Sequence, residues 1–226
     1  MLRIFIGFDS REPVAFHVLC HSILSRASKP VLITPLVRGH LRGLYTRERG
    51  PTESTEFSLT RFLVPYLSDY HGYSLFMDCD MLCLADINAI MRYPFEDSWR
   101  DVYVCQHPEY VPKDTVKFLG QPQTAYPKKN WSSVMLFNNA AAACKRLTPE
   151  HVNKASGLEL HRFYWCEEGR IGSLPRDWNH LVDEENQVKP PKLVHFTRGG
   201  PWFKGFEDCE YSAEWFAERD AMLGVK

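Results

Sequence analysis

Two aspartates separated by one residue, Asp78 and Asp80, form the most informative chemical pattern in this chain. They follow the apolar run Tyr73–Met77, which has the composition of a buried strand. Because side chains alternate along a strand, both carboxylates point to one face and Cys79 points away. At the carboxyl end of a central strand, that face borders the crevice where α/β sheets bind ligands. The pattern predicts a site for Mg²⁺ or Mn²⁺ that bridges to the phosphates of a nucleotide.

An aspartate pair at a strand end is also common in turns and helix caps. In this chain Asp86 is well placed to cap a short helical segment over Ile87–Met91. Asp78 and Asp80 are then left without a local structural role, which favours the metal site. The two-aspartate pattern by itself is only weakly specific.

The composition predicts a single domain with one well-buried core. The chain has 226 residues, of which 44% are hydrophobic and 13% aromatic. Its formal charge of -1 and pI of about 6.7 give no global field for nucleic acid or an anionic membrane. The apolar run Met1–Phe8 is too short for a signal peptide or a membrane span, so we expect a cytoplasmic protein without a transmembrane segment.

Seven cysteines are scattered along the chain without a CxxC pair or a zinc-type cluster. We expect buried thiols in a reducing compartment.

Apolar periodicity predicts an α/β chain that begins as a doubly wound parallel sheet. A polar, arginine-rich loop is expected at Arg38–Pro51, and a long proline-containing connection at His107–Asn130. Strands are predicted at Leu2–Phe8, Val31–Val37, Val102–Gln106, Ser132–Phe137 and Lys192–Phe196, and helices from Pro13 to Leu24 and at Phe57–Leu67, Ala140–Arg146, His151–Glu168 and Tyr211–Met222.

With these elements in order, nearly the whole chain resembles the family 8 glycosyltransferases, and most closely a compact bacterial and viral branch. The resemblance implies a GT-A fold, which is a Rossmann-like, mostly parallel central sheet flanked by helices. It also implies that residues 1–106 form a nucleotide-binding half and residues 107–226 an acceptor and sugar half. The motifs that carry it are STEFSLTRFLVP (Ser54–Pro65), FMDCDMLCLADI (Phe76–Ile87), YPKKNWSSVMLFNN (Tyr126–Asn139), LPRDWN (Leu174–Asn179) and VHFTRGGPWF (Val194–Phe203).

By this resemblance Asp78, Asp80 and His195 are the ligands of a Mn²⁺ ion that holds the diphosphate of a UDP-sugar. The ligand set agrees, since one imidazole with two carboxylates suits Mn²⁺ better than Mg²⁺. Without the resemblance, His195 could equally cap the end of a strand.

The resemblance also assigns the nucleotide contacts. Arg61 has the position of the family's basic donor-binding residue, although it could instead be a solvated helix charge. The uridine would lie against Gly7, Phe8 and Asp9, and Asp9 could also cap the following helix.

This chain departs from the family's HFxGxxKPW motif. It reads His195-Phe-Thr-Arg-Gly-Gly-Pro-Trp202, which is one residue shorter and lacks the lysine that binds the diphosphate. Backbone N–H groups of Gly199 and Gly200 could approach phosphate closely. Arg198, or else Lys204, could replace the lysine.

A second departure concerns the family's acidic segment near the reacting carbon, which aligns with Leu160, His161 and Arg162. No carboxylate matches there, so no catalytic acid is carried over. Glu167 is our nearest candidate for a catalytic carboxylate, with Glu159 and Glu168 as neighbours. The family retains the anomeric configuration, and a path in which the departing phosphate accepts the acceptor proton would need no protein base.

The chain also offers groups suited to binding sugars, because Asn and Ser hydrogen-bond hydroxyls and aromatic rings stack on pyranoses. Trp131 could as readily belong to the core. Acceptor contacts are expected from His107–Asn130 and from Trp202 and Phe203. The sugar-binding candidates are Asn130, Trp131, Ser132, Ser133, Trp178, Asn179 and Trp202.

These observations predict a metal-dependent glycosyltransferase that moves a hexose from a UDP-sugar to a glycan or glycoconjugate, in the synthesis of a surface polysaccharide. One alternative is a non-catalytic module that binds a nucleotide-sugar or glycan. A second is a phosphatase of the haloacid dehalogenase type, although its nucleophilic aspartate normally lies on the first strand.

Overall fold

The computed structural model describes residues 1–50, 53–108, 127–184 and 187–225. The strands of this part of the chain are β1 (Leu2–Gly7), β2 (Val31–Leu36), β3 (Tyr73–Met77), β4 (Met81–Cys83), β5 (Val102–Cys105), β6 (Val134–Asn138), β7 (Ile171–Leu174), β8 (His180–Leu181) and β9 (Leu193–His195). The α-helices are α1 (Pro13–Arg26), α2 (Val64–Leu67), α3 (Arg92–Glu96), α4 (Ala142–Arg146), α5 (Pro149–Lys154), α6 (Gly157–His161) and α7 (Ser212–Leu223).

A six-stranded sheet in the order β2-β1-β3-β6-β5-β7 forms the centre of the molecule. The pairs β1–β2, β1–β3 and β5–β7 are parallel, which confirms the predicted α/β class with a mostly parallel sheet. β6 runs antiparallel to both of its neighbours. The amino end of β6 therefore meets the carboxyl end of β3, where the Asp78 N–H donates to the Ser133 carbonyl at 3.1 Å.

A second sheet, in the order β4-β9-β8, lies directly after the aspartate pair. β4 pairs antiparallel with β9, with Met81 opposite His195. The Phe196 N–H also donates to the Asp80 carbonyl at 2.9 Å. The late strand β9 was predicted, but β4 and β8 were not, because segments of three and two residues carry no periodicity.

Several other predicted boundaries need correction. The expected helix over Phe57–Leu67 is a 3₁₀ turn at Thr60–Leu63 followed by α2. The expected helix over His151–Glu168 is interrupted at Ser156, which forms a capping box with Glu159 and starts α6. Asp86 does accept a hydrogen bond from the Asn88 N–H, which confirms its predicted role as a cap.

The core occupies both faces of the central sheet, and a smaller apolar cluster joins α1, β4, β9 and α7. Glu218 of α7 ties this cluster to α1, because its buried carboxylate receives His21 at 2.5 Å and Arg26 at 2.7 Å. All seven cysteines are free thiols, and five of them are buried. Among the described helices, none is long and apolar enough to cross a membrane.

Gly7, at the end of β1, allows close packing against Phe57. A Cβ atom at this position would lie 2.3 Å from the Phe57 ring. We expect Gly7→Ala to lower the free energy of unfolding by about 1–3 kcal/mol, because the buried ring has to move. Urea denaturation measures this effect. The control is Gly39→Ala, whose Cβ would meet nothing within 4 Å; equal stability of the two variants would contradict the packing argument.

Candidate metal centre

Asp78, Asp80 and His195 converge on one point beside the turn that joins β3 to β4. One potential ligand atom from each residue lies within 4.8 Å of the other two. His195 Nε2 lies 3.3 Å from Asp80 Oδ1 and 3.8 Å from Asp78 Oδ2. The two carboxylates converge as predicted, although Asp78 and Asp80 lie in the turn between β3 and β4 and not in a continued strand. The second sheet supplies the imidazole.

Asn179 fixes the orientation of the His195 ring. Its Nδ2 donates to the Asn130 carbonyl at 3.1 Å, so its Oδ1 faces His195 Nδ1 at 2.8 Å. Because Oδ1 only accepts, Nδ1 carries a proton, and Nε2 is the ring nitrogen that faces the carboxylates. An acceptor oxygen behind the second nitrogen is the usual arrangement around a metal-binding histidine.

The two carboxylates of this cluster lie close together. Asp80 Oδ1 is buried and receives no hydrogen bond from the described residues, and His195 Nε2 lies 3.3 Å from it. A cation placed among the three groups would relieve the repulsion between the carboxylates. Two carboxylates and one imidazole are a donor set that suits Mn²⁺, so the residues present fit the predicted ion.

Arg61 lies behind the cluster and binds Asp78 directly. Its Nη1 is 2.8 Å from Asp78 Oδ1 and donates to the Ser132 carbonyl at 2.9 Å. The residue is only 5% exposed, and its guanidinium lies over the Phe57 and Phe76 rings at 5.2 and 4.9 Å. Arg61 is therefore not the solvated helix charge considered from the sequence; it is a buried counter-ion that holds a metal ligand.

The predicted sugar-binding segment Asn130–Ser133 leads into β6 beside Asp78. Ser132 and Ser133 are buried, and Asn130 adopts a left-handed backbone conformation with φ of 66°. The Trp131 Nε1–H donates to the His107 carbonyl at 2.9 Å, while its ring is half-buried. Most of the predicted acceptor segment, at 109–126, lies outside the described residues.

Trp178 and Asn179 are both completely buried. Trp178 packs in the core with its Nε1 3.3 Å from the Tyr93 hydroxyl. Trp178 is therefore a core residue, and we do not propose it as a sugar contact. Asn179 contacts His195, so we assign it to the metal centre.

At the end of β1, Gly7 and Asp9 are enclosed and Phe8 is half-buried. Asp9 is fully buried and accepts from the Arg11 guanidinium at 2.8 and 2.6 Å. Burial alone would raise the pKa of Asp9, but the hydrogen bonds from Arg11 outweigh it and lower the pKa. Glu12, and not Asp9, occupies the capping position of α1, so Asp9 does not cap the helix.

The glycine-rich turn after His195 is packed closely. The Gly199 N–H donates to the Phe196 carbonyl at 3.0 Å, so it is occupied within the protein. A Cβ on Gly200 would lie 2.1 Å from the Trp202 ring, so this glycine makes room for the indole. Arg198 is half-buried and Lys204 is exposed.

Glu167 does not lie at the metal edge of the central sheet. It precedes the 3₁₀ turn that enters the amino end of β7, and it is exposed. The register places the start of β7 level with the amino end of β3, whereas Asp78 follows its carboxyl end. We therefore do not propose Glu167 as a catalytic residue. It was predicted because it is close in sequence to the aligned acidic segment, and that closeness does not determine where the residue lies relative to the sheet.

His161, from the aligned segment without a carboxylate, joins the network around Asp78. Its Nδ1 lies 2.8 Å from Ser132 Oγ, and the Ser132 carbonyl receives Arg61. Although the residue keeps some exposure, burial of the imidazole and the positive charge of Arg61 lower the pKa of His161 to about 3. The ring is neutral across the physiological range.

Two buried groups near the centre were not singled out from the sequence. Burial and the negative charges of Asp80 and Asp9 raise the pKa of Glu12 to about 9, so it is a neutral acid at pH 7. Burial, the neighbouring His195 and the positive charge of Arg176 lower the pKa of His107 to about 3. A glutamate at a helix start and a histidine after a short strand carry no sequence signal for such positions.

Solved structures that resemble this chain include glycosyltransferases. The bifunctional glycosyltransferase WbbM superposes with a TM-score of 0.63 at 15% identity, over 96% of this chain and 49% of that one, so this chain spans about half of WbbM. The galactosyltransferase LgtC, solved with donor and acceptor sugar analogues, superposes with a TM-score of 0.62 at 11% identity, over 99% and 97%. The fold is of the GT-A glycosyltransferase type, as predicted.

The sequence comparison adds a relative at much higher identity. Protein CDI of Arabidopsis thaliana is 49% identical over 225 residues, which cover 96% of this chain and 86% of the plant protein. This chain belongs to the family of Protein CDI. No family model matches the sequence.

We expect Arg61→Ala to lower the free energy of unfolding of the metal-free protein by about 3–5 kcal/mol, because it leaves the Asp78 carboxylate without its buried counter-ion. Chemical denaturation in EDTA measures the loss. The matched control is Lys154→Ala, which removes an exposed pair with Glu150 and should change stability by less than about 1 kcal/mol. Similar small effects of both variants would show that Arg61 does not stabilise Asp78.

Because His161 is neutral in the folded protein, we expect the free energy of unfolding to decrease at acidic pH. Unfolded chains protonate histidine near pH 6.5, whereas folded His161 stays neutral down to about pH 3, so stability falls as the pH drops through this window. We expect His161→Gln to lose about 1–2 kcal/mol less than the wild type between pH 7 and pH 5. Urea denaturation at the two pH values tests this, and parallel losses would contradict it.

Proposed function

We propose that this protein is a metal-dependent glycosyltransferase that transfers a hexose from a UDP-sugar to a glycan or glycoconjugate acceptor. The observation that carries the proposal is the convergence of Asp78, Asp80 and His195 within 4.8 Å at the ligand edge of a GT-A fold. The glycosyltransferase activities of the structural neighbours agree with it.

The sum of the charges on the buried groups around Asp78 and Asp80 favours a cation at this point. The cluster contains two carboxylates and one guanidinium, and Glu12 is neutral at pH 7. One negative charge is therefore left over among these groups in a largely buried setting, where uncompensated charge is unfavourable. Mn²⁺, or Mg²⁺ as the alternative, would be held by Asp78, Asp80 and His195. When bound, the ion would neutralise charge on the diphosphate and on the departing UDP.

The nucleoside is proposed to lie at the carboxyl ends of β1 and β2, where Phe8 keeps an accessible side chain. A cavity of about 430 Å³ adjoins this edge and is lined in part by Arg38, Tyr45, Arg47 and Glu56. The Glu56 N–H donates to Asp9, so one residue that lines the cavity contacts the segment directly after β1. Its size is within the range of small-ligand sites.

The hexose is proposed to contact the Asn130–Ser133 segment, which lies beside Asp78. Arg198 is proposed to assist the diphosphate in place of the family's lysine, with Lys204 as the alternative, because the turn that bears both follows His195 directly. We propose Trp202 and Phe203 as acceptor contacts, since both keep part of their surface exposed.

With no carboxylate at the aligned position, the proposal assigns no protein base. Transfer with retention, in which the leaving phosphate accepts the acceptor proton, is consistent with a neutral His161 at that position. Here the protein's own groups bind and orient the donor, and they exclude water from the carboxylate cluster.

We expect Asp80→Ala to abolish metal-dependent UDP binding and to leave the fold intact, because Asp80 has no buried arginine partner such as Asp78 has. Isothermal titration of UDP with Mn²⁺ and with EDTA tests this, together with circular dichroism of the variant. Asp208→Ala, at an exposed acidic residue, is the charge-matched control. Unchanged manganese-dependent affinity in the Asp80 variant would refute the site.

Product analysis separates transfer from binding alone. Release of UDP from a bound UDP-hexose, with sugar transferred to an added glycan, supports the transferase. Binding of the UDP-sugar without turnover under any acceptor would support the non-catalytic module.

A further inference from the structure

Glu12 lies between the two chain segments that carry the metal ligands. It is the residue before α1, and it is only 3% exposed. Such burial is unusual for a carboxyl group at a helix start, where the side chain is normally solvated. In this position it does not cap the helix with its side chain.

Both carboxyl oxygens of Glu12 receive a side-chain donor. The thiol of Cys79 donates to Oε1 at 3.7 Å, and the Trp202 Nε1–H donates to Oε2 at 3.2 Å. Cys79 is the residue between Asp78 and Asp80, and Trp202 belongs to the turn that follows His195. One side chain therefore joins the aspartate turn to the segment after the histidine.

Trp202 also packs against the smaller apolar cluster. Its ring packs against Phe196 and Trp215 with centroids 5.5 and 5.1 Å apart. Phe196 directly follows His195, and its N–H donates to the Asp80 carbonyl. The indole is thereby packed against the residue that adjoins His195 and hydrogen-bonds the Asp80 main chain.

We propose that Glu12 is a positioning residue for the metal centre, fastening the aspartate turn to the Trp202 turn and so setting the affinity of the centre for its cation. The inference rests on the proposed function in that it takes Asp78, Asp80 and His195 to be the ligands. It adds that the spacing of these ligands depends on a carboxyl group that touches neither metal nor substrate.

The variant that tests the inference is Glu12→Gln, which keeps the size of the side chain but turns an NH₂ group toward one of the two donors. Glu214→Gln, at an exposed position on α7, is the matched control. Hydrogen exchange of the metal-free proteins is measured by mass spectrometry, and Mn²⁺ affinity by calorimetry well below the unfolding temperature. We expect faster exchange in both 78–81 and 197–203, and about five- to tenfold weaker Mn²⁺ binding, in the Glu12 variant only.

Faster exchange with unchanged Mn²⁺ affinity would overturn the inference, because Glu12 would then be structural only. Unchanged exchange in both segments would overturn it as well. If the wild type itself binds no Mn²⁺, the metal site of the proposed function fails, and the inference fails with it. Wild-type binding with an unaffected Glu12 variant rejects the inference alone.

Trp202→Phe is a second variant that tests the inference if Glu12→Gln folds poorly. It removes the N–H donor to Glu12 and keeps an aromatic ring. It should weaken Mn²⁺ binding to a similar extent, and the double variant should be no weaker than either single variant. Additive losses would show that the two residues act separately.

Discussion

The arrangement of two carboxylates and an imidazole nitrogen around one point is the constraint on which the rest of this structure depends. The two carboxylates repel each other when they are buried without a cation. The protein holds all three groups with fixed neighbours: Arg61 binds Asp78, Asn179 orients His195, and the Asp80 carbonyl receives the Phe196 N–H. These contacts hold the three side chains in the positions from which they would bind a cation.

The strand topology brings the residues around this point together. β6 runs against its neighbours and so brings Ser132 and Ser133 to the carboxyl end of β3. There the Ser132 carbonyl shares the Arg61 guanidinium with Asp78. The small second sheet places His195 opposite Met81, one residue after Asp80. Segments more than a hundred residues apart along the chain therefore meet within one hydrogen-bonded unit.

The sequence predicted those features that depend on local pattern or on the resemblance. The aspartate pair after an apolar strand predicted the convergence of Asp78 and Asp80, although a turn and not strand alternation brings them together, and the family motif indicated His195 as their partner. Local pattern could not show that Arg61 is buried against Asp78, because its partner belongs to another element. It also gave no sign of the short strand β4 or of Glu12, whose burial results from tertiary packing. Glu167 illustrates the opposite error, since nearness in sequence did not correspond to the same edge of the sheet.

Arg61 and Glu12 show that the charge states of the residues at this centre depend on one another. Arg61 compensates one carboxylate, and burial together with the charge of Arg61 keeps the neighbouring His161 neutral. Glu12, itself neutral at pH 7, adds a carboxyl group without adding a third negative charge. A divalent cation would more than balance the remaining negative charge, which leaves positive charge for a diphosphate.

Anomalous diffraction at the manganese absorption edge, from crystals grown with Mn²⁺ and UDP, is the most direct test of the central claim. The account predicts one strong anomalous peak coordinated by Asp78, Asp80 and His195 Nε2, with UDP phosphate oxygens completing the coordination. A peak elsewhere, or ordered UDP at this edge without a metal between the two aspartates, would contradict it.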